Sequence, residues 1–210
     1  MQRAYLLEAQ KRYSLALPGS PAEEHLVNRK LQGTIVDRFK LGYVADPVPG
    51  HDQYKGMLAV PYLRRSESND ALVVSIRFRC LEDHEHIGHG KYNTVAGDPA
   101  RLYNTRAITE SDEYIAITEG EFDAIAMTMA GMAAVGIPGV QTWKDHFDTI
   151  FRGYKTVYVF TDGDEAGRGF GRFVCERLKK NAKQIPCPPG EDVNSWLAGG
   201  GYDDIWKAME

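Results

Sequence analysis

The chain has 210 residues, of which 43% are hydrophobic and 26% are charged, and this composition is typical of a globular protein with one large or two small domains. The net charge of -4 is unevenly spread: residues 1–110 carry 15 basic and 13 acidic side chains, whereas residues 111–210 carry 10 and 16. No apolar run approaches the ~20 residues of a membrane span, and the N-terminus lacks the apolar stretch of a secretory signal. We therefore expect a cytoplasmic protein without membrane contact.

The first half of the chain predicts helices followed by a β region. Helical spacing predicts a helix over 4–15, a second one from Pro21 to about Leu31 and a short one over 35–39, with Thr34 as its candidate cap. Strands are predicted at 57–62 and 71–79, separated by turn residues at 66–70, and Pro61 favours an edge position for the first strand.

Three histidines and three cysteines are candidate metal ligands by residue type. His84, His86 and His89 lie in the polar stretch 82–90, which we interpret as a hairpin loop without zinc. The cysteines form no C-x-x-C pair and are far apart, so they predict isolated reduced thiols rather than a zinc ribbon or a disulfide framework. They are Cys80, Cys175 and Cys187.

The second half of the chain alternates between strands and helices. Strands are predicted near 114–118, 133–137, 156–161 and 182–185, and helices near 121–130, 142–152, 165–180 and 202–209. This alternation predicts an α/β fold, with a parallel sheet flanked by helices and a domain boundary near residue 110.

Acidic side chains follow three of the predicted strands. The carboxyl ends of parallel strands form the ligand crevice of an open α/β sheet, so these groups are expected to converge. Converging carboxylates repel one another unless a divalent cation lies between them, which indicates a magnesium site suited to phosphate chemistry. Each acidic residue taken alone could instead be a helix N-cap. The residues are Glu119, Asp123, Asp162, Asp164 and Asp192, with Asn194 beside the last.

The segments 119–123 (E-G-x-x-D) and 162–167 (D-G-D-x-A-G) resemble the signature of the TOPRIM domain, which DnaG-type primases, topoisomerases and several nucleases share. In the first half, segments at 34–43, 57–61, 74–79, 91–93 and 102–104 resemble, in order, segments of the DnaG-type primase catalytic core. The resemblance spans about residues 22–200. It implies a TOPRIM catalytic domain over 111–210, preceded by an α+β subdomain over 1–110 that contacts nucleic acid and nucleotide.

The resemblance also implies roles for particular residues. Glu119, Asp162 and Asp164 would be catalytic and, together with Asp192 and Asn194, would hold Mg2+ or Mn2+. Where the family usually has D-P-D, this chain has Asp192-Val193-Asn194, which predicts a weaker second metal. Supporting positions are Asp123, Gly120 and Gly163, and the nucleic-acid or nucleotide contacts would be Arg79, Lys91, Asn93 and Arg101. Arg79 and Lys91 could instead be solvated hairpin charges.

The function implied by the resemblance is DNA-templated synthesis of short RNA primers, with single-stranded DNA and ribonucleoside triphosphates as partners. The chain is similar to the core of a phage- or plasmid-type primase without its zinc-binding and helicase-binding domains. A replicative helicase or a separate zinc-binding module is therefore a further expected partner. Two alternatives stay open, a metal-dependent TOPRIM nuclease and a non-catalytic DNA-binding scaffold. A topoisomerase is disfavoured because no catalytic tyrosine domain or ATPase module is evident.

Overall fold

The structure is a computed structural model that describes residues 2–65, 71–111, 113–138 and 142–210, so the turn predicted at 66–70 lies outside the described residues. The chain forms two compact units that divide between Pro99 and Ala100, about ten residues before the predicted boundary. Residues 100–110 pack with the second unit because the backbones of Tyr103 and Gly136 exchange two hydrogen bonds, of 2.9 and 3.2 Å. Within the described ranges, no helix is both long enough and apolar enough to cross a membrane.

The first unit combines three helices with an antiparallel sheet in the order β1-β2-β3-β4. The predicted elements are present, and the second helix ends three residues earlier than expected. The helices are α1 (Gln2–Leu15), α2 (Pro21–Asn28) and α3 (Thr34–Phe39), with a 3-10 turn at Asp52–Tyr54, and the strands are β1 (Gly42–Tyr43), β2 (Leu58–Arg65), β3 (Ala71–Arg79) and β4 (Tyr92–Thr94).

Pro61 lies within β2, which has neighbours on both sides. The short strand β1 pairs only with Leu58 and Ala59, so β2 has no partner on that side at Pro61. The missing N–H of proline therefore costs no ladder hydrogen bond there, which agrees with the predicted edge character.

An aromatic cluster fills the core of the first unit between α1 and the sheet. The rings of Tyr54 and Phe78 stack with their centroids 4.0 Å apart. The hydroxyl of Tyr13 accepts a hydrogen bond from the backbone N–H of Val48 (3.1 Å) and lies 2.9 Å from Nδ1 of His51. These contacts fix the sheet whose last hairpin, β3–β4, carries three of the four predicted nucleic-acid contacts.

The second unit is the predicted α/β fold, a parallel four-stranded sheet in the order β6-β5-β7-β8. A 3-10 helix at Thr105–Thr109 precedes it. The strands are β5 (Tyr114–Thr118), β6 (Ala134–Gly136), β7 (Thr156–Thr161) and β8 (Ala182–Pro186), and the helices are α4 (Glu121–Met129), α5 (Asp145–Phe151), α6 (Glu165–Leu178), α7 (Val193–Ala198) and α8 (Tyr202–Met209), with a 3-10 turn at Lys179–Asn181.

The main core of this unit lies on one face of the sheet. Ile117 and Val159 project from the central strands β5 and β7 and pack with Phe151 of α5 and Phe170 of α6. All of these side chains are almost completely buried. β5 and β7 are mostly buried, as is typical of parallel strands, and the polar side chains that follow them can meet at their carboxyl ends.

Candidate functional site

The strand order of the second unit brings the three acidic segments to one edge of the sheet. β7 lies between β5 and β8 and is parallel to both, so the residues that follow these three strands emerge at the same edge. Glu119 follows β5, Asp162 follows β7, and Asp192 follows the loop after β8.

Glu119 and Asp162 are joined by a direct hydrogen bond. The backbone N–H of Asp162 donates to Oε1 of Glu119 over 2.8 Å, although the two residues are 43 positions apart in the sequence. Burial raises the pKa of Glu119 to about 7; this hydrogen bond opposes the rise, and the charges of Asp162 and Asp164 add to it. A carboxyl group with this pKa can both accept and donate a proton near neutral pH.

The carboxylates of this edge also perturb one another. Burial raises the pKa of Asp162 to about 6, and the negative charges of Asp192 and Asp164 contribute to the increase. Cys187, which follows β8, has a buried thiol whose pKa is raised by burial and then by nearby carboxylates, including Asp123 and Asp162. The acidic residues therefore share one region of negative potential.

Asp164 and Asp192 are also helix N-caps. Helix capping is the alternative role that the sequence left open for each acidic residue. Oδ1 of Asp164 accepts a 2.7 Å hydrogen bond from the backbone of Gly167 at the start of α6. Oδ1 of Asp192 accepts one of 2.6 Å from the backbone of Ser195 in a capping box at the start of α7. Capping fixes both carboxylates at the edge of the sheet, so it serves the site as well as the helices.

Asp123 and Asn194 occupy the buried side of the site. Asp123 lies in the first turn of α4, and its Oδ1 accepts a 3.0 Å hydrogen bond from the backbone N–H of Asn194 in α7. Asn194 is only 3% exposed and Asp123 only 7%. The pair joins α4 to α7 behind the acidic edge, which places Asn194 beside the site in a position with little access to solvent.

Small residues let the acidic loops approach closely. A Cβ on Gly163 would lie 1.9 Å from the carbonyl oxygen of Pro188, and one on Gly167 would lie 2.3 Å from the carbonyl oxygen of Asp162. Gly120, the N-cap position of α4, leaves room for Oδ2 of Asp123, which a Cβ would approach to 2.7 Å.

Three of the four predicted nucleic-acid contacts lie where the loop between β3 and β4 joins the two strands. Arg79 is 6% exposed and donates a hydrogen bond to the hydroxyl of Tyr92, whereas Lys91 is exposed. The side chain of Asn93 donates to the carbonyl of Gly90 (2.7 Å) and accepts from its N–H (3.1 Å), so it holds the hairpin turn. Arg101, the fourth, is half-buried and belongs to the second unit.

His25 and Arg29 form a basic cluster with Arg79 and Lys91, and neither residue was predicted from the sequence as a nucleic-acid contact. Nε of Arg29 donates to Nε2 of His25 over 3.1 Å. Burial first, and then surrounding positive charges, lower the pKa of His25 to about 4. Those charges belong to Arg79, Arg29 and Lys91. The four residues come from α2 with its C-cap residue Arg29 and from the β3–β4 hairpin, and no sequence spacing links these two segments.

Residues 82–90 lie in the predicted loop between β3 and β4, but its three histidines are clustered with Cys80 rather than separately solvated. Ligand atoms of His84, His86, His89 and Cys80 all lie within 4.8 Å of one another. The spacing C-x3-H-x-H-x2-H is visible in the sequence, but the histidines were interpreted as part of a polar loop and Cys80 as an isolated thiol, so the four residues were not grouped.

Comparison with known proteins gives a domain type and several related sequences. Residues 116–197 match a family model described as Toprim-like. The gene 57 protein of Mycobacterium phage D29 is 47% identical over 156 residues, which is 74% of this chain and 99% of that protein. A DNA primase of Pseudomonas putida is 31% identical over 109 residues, which is 49% of this chain but only 16% of the primase. The chain therefore spans a small part of the bacterial relative.

Solved structures extend the likeness to the whole chain. A crystal structure of a DNA primase domain from Pseudomonas aeruginosa matches 100% of this chain and 78% of its own, with 22% identity and a TM-score of 0.79. A DnaG primase catalytic domain bound to single-stranded DNA matches 97% of this chain and 76% of its own, with 20% identity and a TM-score of 0.73. The chain belongs to the same family as the phage D29 gene 57 protein, carries a Toprim-like domain, and has the fold of DnaG-type primase catalytic cores.

Proposed function

We propose that this chain synthesises short RNA primers on a single-stranded DNA template by metal-dependent nucleotidyl transfer. The observation that supports this function best is the convergence of Glu119, Asp162, Asp164 and Asp192 at one edge of the parallel sheet, in a fold shared with DnaG primase cores. The finer activity, its substrates and its partners are inferred from this site and from the relatives.

The donor set fits a hard divalent cation. Carboxylate oxygens are the ligands that Mg2+ and Mn2+ prefer, and Glu119, Asp162, Asp164 and Asp192 supply them. The raised pKa values of Glu119 and Asp162 reflect burial first and then repulsion by neighbouring carboxylates, and a cation would relieve that repulsion. Bound Mg2+ or Mn2+ would stabilise the attacking and leaving oxygens of an in-line displacement at phosphorus.

Glu119 is our candidate for the proton acceptor. With a pKa of about 7 it is partly ionised at neutral pH, so it can take a proton from the attacking 3′-hydroxyl. The hydrogen bond from the backbone of Asp162 holds Oε1 of Glu119, which leaves Oε2 as the oxygen that would face the substrate. Asp123 and Asn194 would support the acidic edge from the buried side.

The basic cluster of the first unit, formed by His25, Arg29, Arg79 and Lys91, is our candidate for holding the DNA template. One of the related primase domains was solved with single-stranded DNA. Arginine and lysine suit phosphate contact, and His25 with a pKa of about 4 is neutral at physiological pH, so it offers a ring nitrogen rather than a charge. Arg101 of the second unit is the candidate for a nucleotide contact. A replicative helicase or a separate zinc-binding module stays a predicted partner.

The test is to incubate the protein with a single-stranded template, labelled ribonucleotides and Mg2+ or Mn2+. We expect new oligoribonucleotides that require all three components. Shortened template without new RNA would indicate a nuclease, and a mobility shift without either product would indicate a DNA-binding scaffold; both results contradict the proposal.

A matched pair of variants assigns the chemistry to the site. Glu119→Gln keeps the shape of the side chain and should reduce synthesis by at least about 100-fold, because it removes both the proton acceptor and a carboxylate. Glu176→Gln removes one charge from an exposed position on α6 and should leave the rate unchanged. Equal rates for the two variants would contradict the assignment of Glu119.

A further inference from the structure

A second cluster of metal-binding side chains lies in the first unit, in the loop between β3 and β4. It is formed by Cys80, His84, His86 and His89, and we call it the cysteine–histidine cluster. Cys80 directly follows β3, and the three histidines lie in the eleven residues that lead to β4. None of these residues belongs to the acidic site of the second unit.

The side chains of this cluster face one another. Sγ of Cys80 lies 3.4 Å from Nε2 of His84. The centroids of the three imidazole rings are separated by 4.7 Å (His84 to His86), 5.1 Å (His84 to His89) and 5.2 Å (His86 to His89). One ligand atom from each of the four residues falls within 4.8 Å of the other three. Three independently solvated histidines in a polar loop would not be expected to cluster around a buried thiol.

The surroundings of two ring nitrogens, one in His89 and one in His86, are compatible with metal binding. Nδ1 of His89 lies 3.1 Å from the carbonyl oxygen of Gly90 and donates to it when it carries the proton, which leaves Nε2 as a lone-pair donor. Metal-bound histidines commonly have such a carbonyl partner on the other ring nitrogen. Nδ1 of His86 is shielded from solvent and has no hydrogen-bond partner among the described residues. An unsatisfied, shielded imidazole nitrogen costs free energy unless a ligand completes it.

The loop that carries the cluster is closed at its base by fixed contacts. The backbone N–H of Cys80 donates to the carbonyl oxygen of Lys91 over 3.0 Å. Asn93 pairs with both backbone polar groups of Gly90, and Gly88 turns the chain with a φ of +84°. The base of the loop therefore constrains the first and last ligands, whereas the other two histidines sit on the turn between them.

We propose that the cysteine–histidine cluster binds one zinc ion, which holds the β3–β4 hairpin together. Zinc takes four ligands in a tetrahedron from cysteine thiolate and histidine nitrogen, and four protein ligands fill every position, as in a structural site. Bond lengths of about 2.0 to 2.3 Å put the ligand atoms roughly 3.5 Å apart, so a contraction of about 1 Å from the present spacing suffices. Zn2+ displaces the proton of Cys80, which leaves to solvent, and the neutral histidines bind without losing one.

The thiol and imidazole donors of the cysteine–histidine cluster favour zinc over Mg2+, the cation proposed for the acidic site. A thiolate and imidazoles are softer ligands than carboxylates and suit zinc, whereas Mg2+ takes oxygen ligands. The hairpin also carries Arg79 and Lys91, so the metal would fix two members of the basic cluster. The zinc proposal does not depend on the proposed catalytic function, because its readouts are metal content and stability.

The first experiment measures metal in the full chain. The protein is purified under reducing conditions, dialysed against buffer without zinc, and analysed for metal by mass spectrometry. We expect about one zinc ion per chain, as a closed site with four protein ligands requires. Replacement of zinc by Co2+ should give the visible absorption of a tetrahedral site together with a thiolate-to-cobalt band. Protein that holds no zinc and gives no such spectrum on addition of Co2+ would overturn the proposal.

Matched variants locate the ion. His84→Ala and His89→Ala remove side chains from an exposed loop, so both variants should fold but lose the zinc, with affinity at least about 10-fold weaker. His146→Ala removes an exposed histidine of α5 and should keep the full zinc content. Cys80→Ser should abolish the thiolate-to-cobalt band, whereas Cys175→Ser on α6 should not. Zinc that persists in the His84 and His89 variants would place the ion elsewhere and overturn the proposal.

Stability gives an independent readout if Cys80→Ser fails to fold. A strong chelator should lower the Tm of the wild-type protein, because a ligand that binds only the folded state stabilises it. The same chelator should leave the Tm of His84→Ala unchanged. Equal chelator effects on the wild-type protein and this variant would contradict a structural ion in the loop.

Discussion

Asp162→Asn is expected to make the metal-free protein more stable while it removes the cation site. The pKa of Asp162 is raised from 3.8 to about 6 by burial and by the charges of Asp192 and Asp164, so its ionised form is disfavoured in the folded state. A shift of about 2 pKa units corresponds to about 3 kcal/mol, and screening of this half-buried group by solvent reduces that to about 1 to 1.5 kcal/mol. Asparagine has the same shape and no charge.

The sign of the effect depends on pH. A carboxyl group with a raised pKa in the folded state contributes its full stability below the unfolded value of 3.8, and that contribution is lost as pH rises through about 6. At pH 8 with chelator, Asp162→Asn should therefore raise the Tm by about 2 to 5 °C, whereas at pH 4 the two proteins should be alike.

Differential scanning calorimetry at both pH values measures this change, with and without Mg2+. Mg2+ should raise the Tm of the wild-type protein at pH 8 and have much less effect on the variant. Glu176→Gln, on the exposed face of α6, is the control for loss of one negative charge and should behave like the wild-type protein. A lower Tm for Asp162→Asn in chelator at pH 8, or equal stabilisation of both proteins by Mg2+, would refute the argument.

Three further predictions concern packing, template binding and pH. Gly163→Ala places a Cβ 1.9 Å from the carbonyl of Pro188 and should destabilise the protein by about 2 kcal/mol or more in chemical denaturation, whereas Gly169→Ala, with 3.9 Å of space inside α6, should be neutral or stabilising. A stable Gly163→Ala protein would contradict the close approach of the two acidic loops. Lys91→Ala should weaken binding to single-stranded DNA and reduce the slope of log K against log salt by about 0.7, whereas Lys180→Ala, at the opposite edge of the sheet from the acidic site, should change neither. An unchanged slope for Lys91→Ala would remove this residue from the interface. The pKa of Glu119 is raised from 4.5 to about 7, so the metal-free protein should lose stability from about pH 4.5 upwards until ionisation is complete above pH 7, and Glu119→Gln should remove that part of the pH dependence in thermal melts. A pH profile that does not differ between Glu119→Gln and the wild-type protein would show that Glu119 is not perturbed.

The parallel sheet could be predicted from the sequence because its strands carry strong local signals. The apolar runs 114–118 and 156–161 are both followed by acidic turns, and both strands have the predicted bounds. The convergence of Glu119 and Asp162 then followed from the geometry of parallel strands. The six-residue helix α7 was missed, since it is too short for a periodic pattern and begins soon after Pro188, Pro189 and Gly190.

Contacts between segments that are far apart in the sequence could not be predicted from local sequence patterns. The low pKa of His25 is caused first by burial and then in part by charges from the β3–β4 hairpin, about 55 to 65 residues away in sequence. Asp164 and Asp192 both cap a helix and lie at the acidic edge. The sequence alone cannot distinguish residues with both roles from residues that only cap a helix. Cys80 was not grouped with the histidines because it is part of no C-x-x-C pair, and the fold, in which β3 pairs with β4, is what shows that the histidine loop returns to it.

The most direct test of the acidic site is a crystal soaked in Mn2+ and measured for anomalous scattering. We predict a manganese peak within bonding distance of carboxylate oxygens from at least two of the separate segments that hold Glu119, Asp162 and Asp192. Occupied manganese sites elsewhere, with none that joins two of these segments, would contradict the claim that they form one cation site.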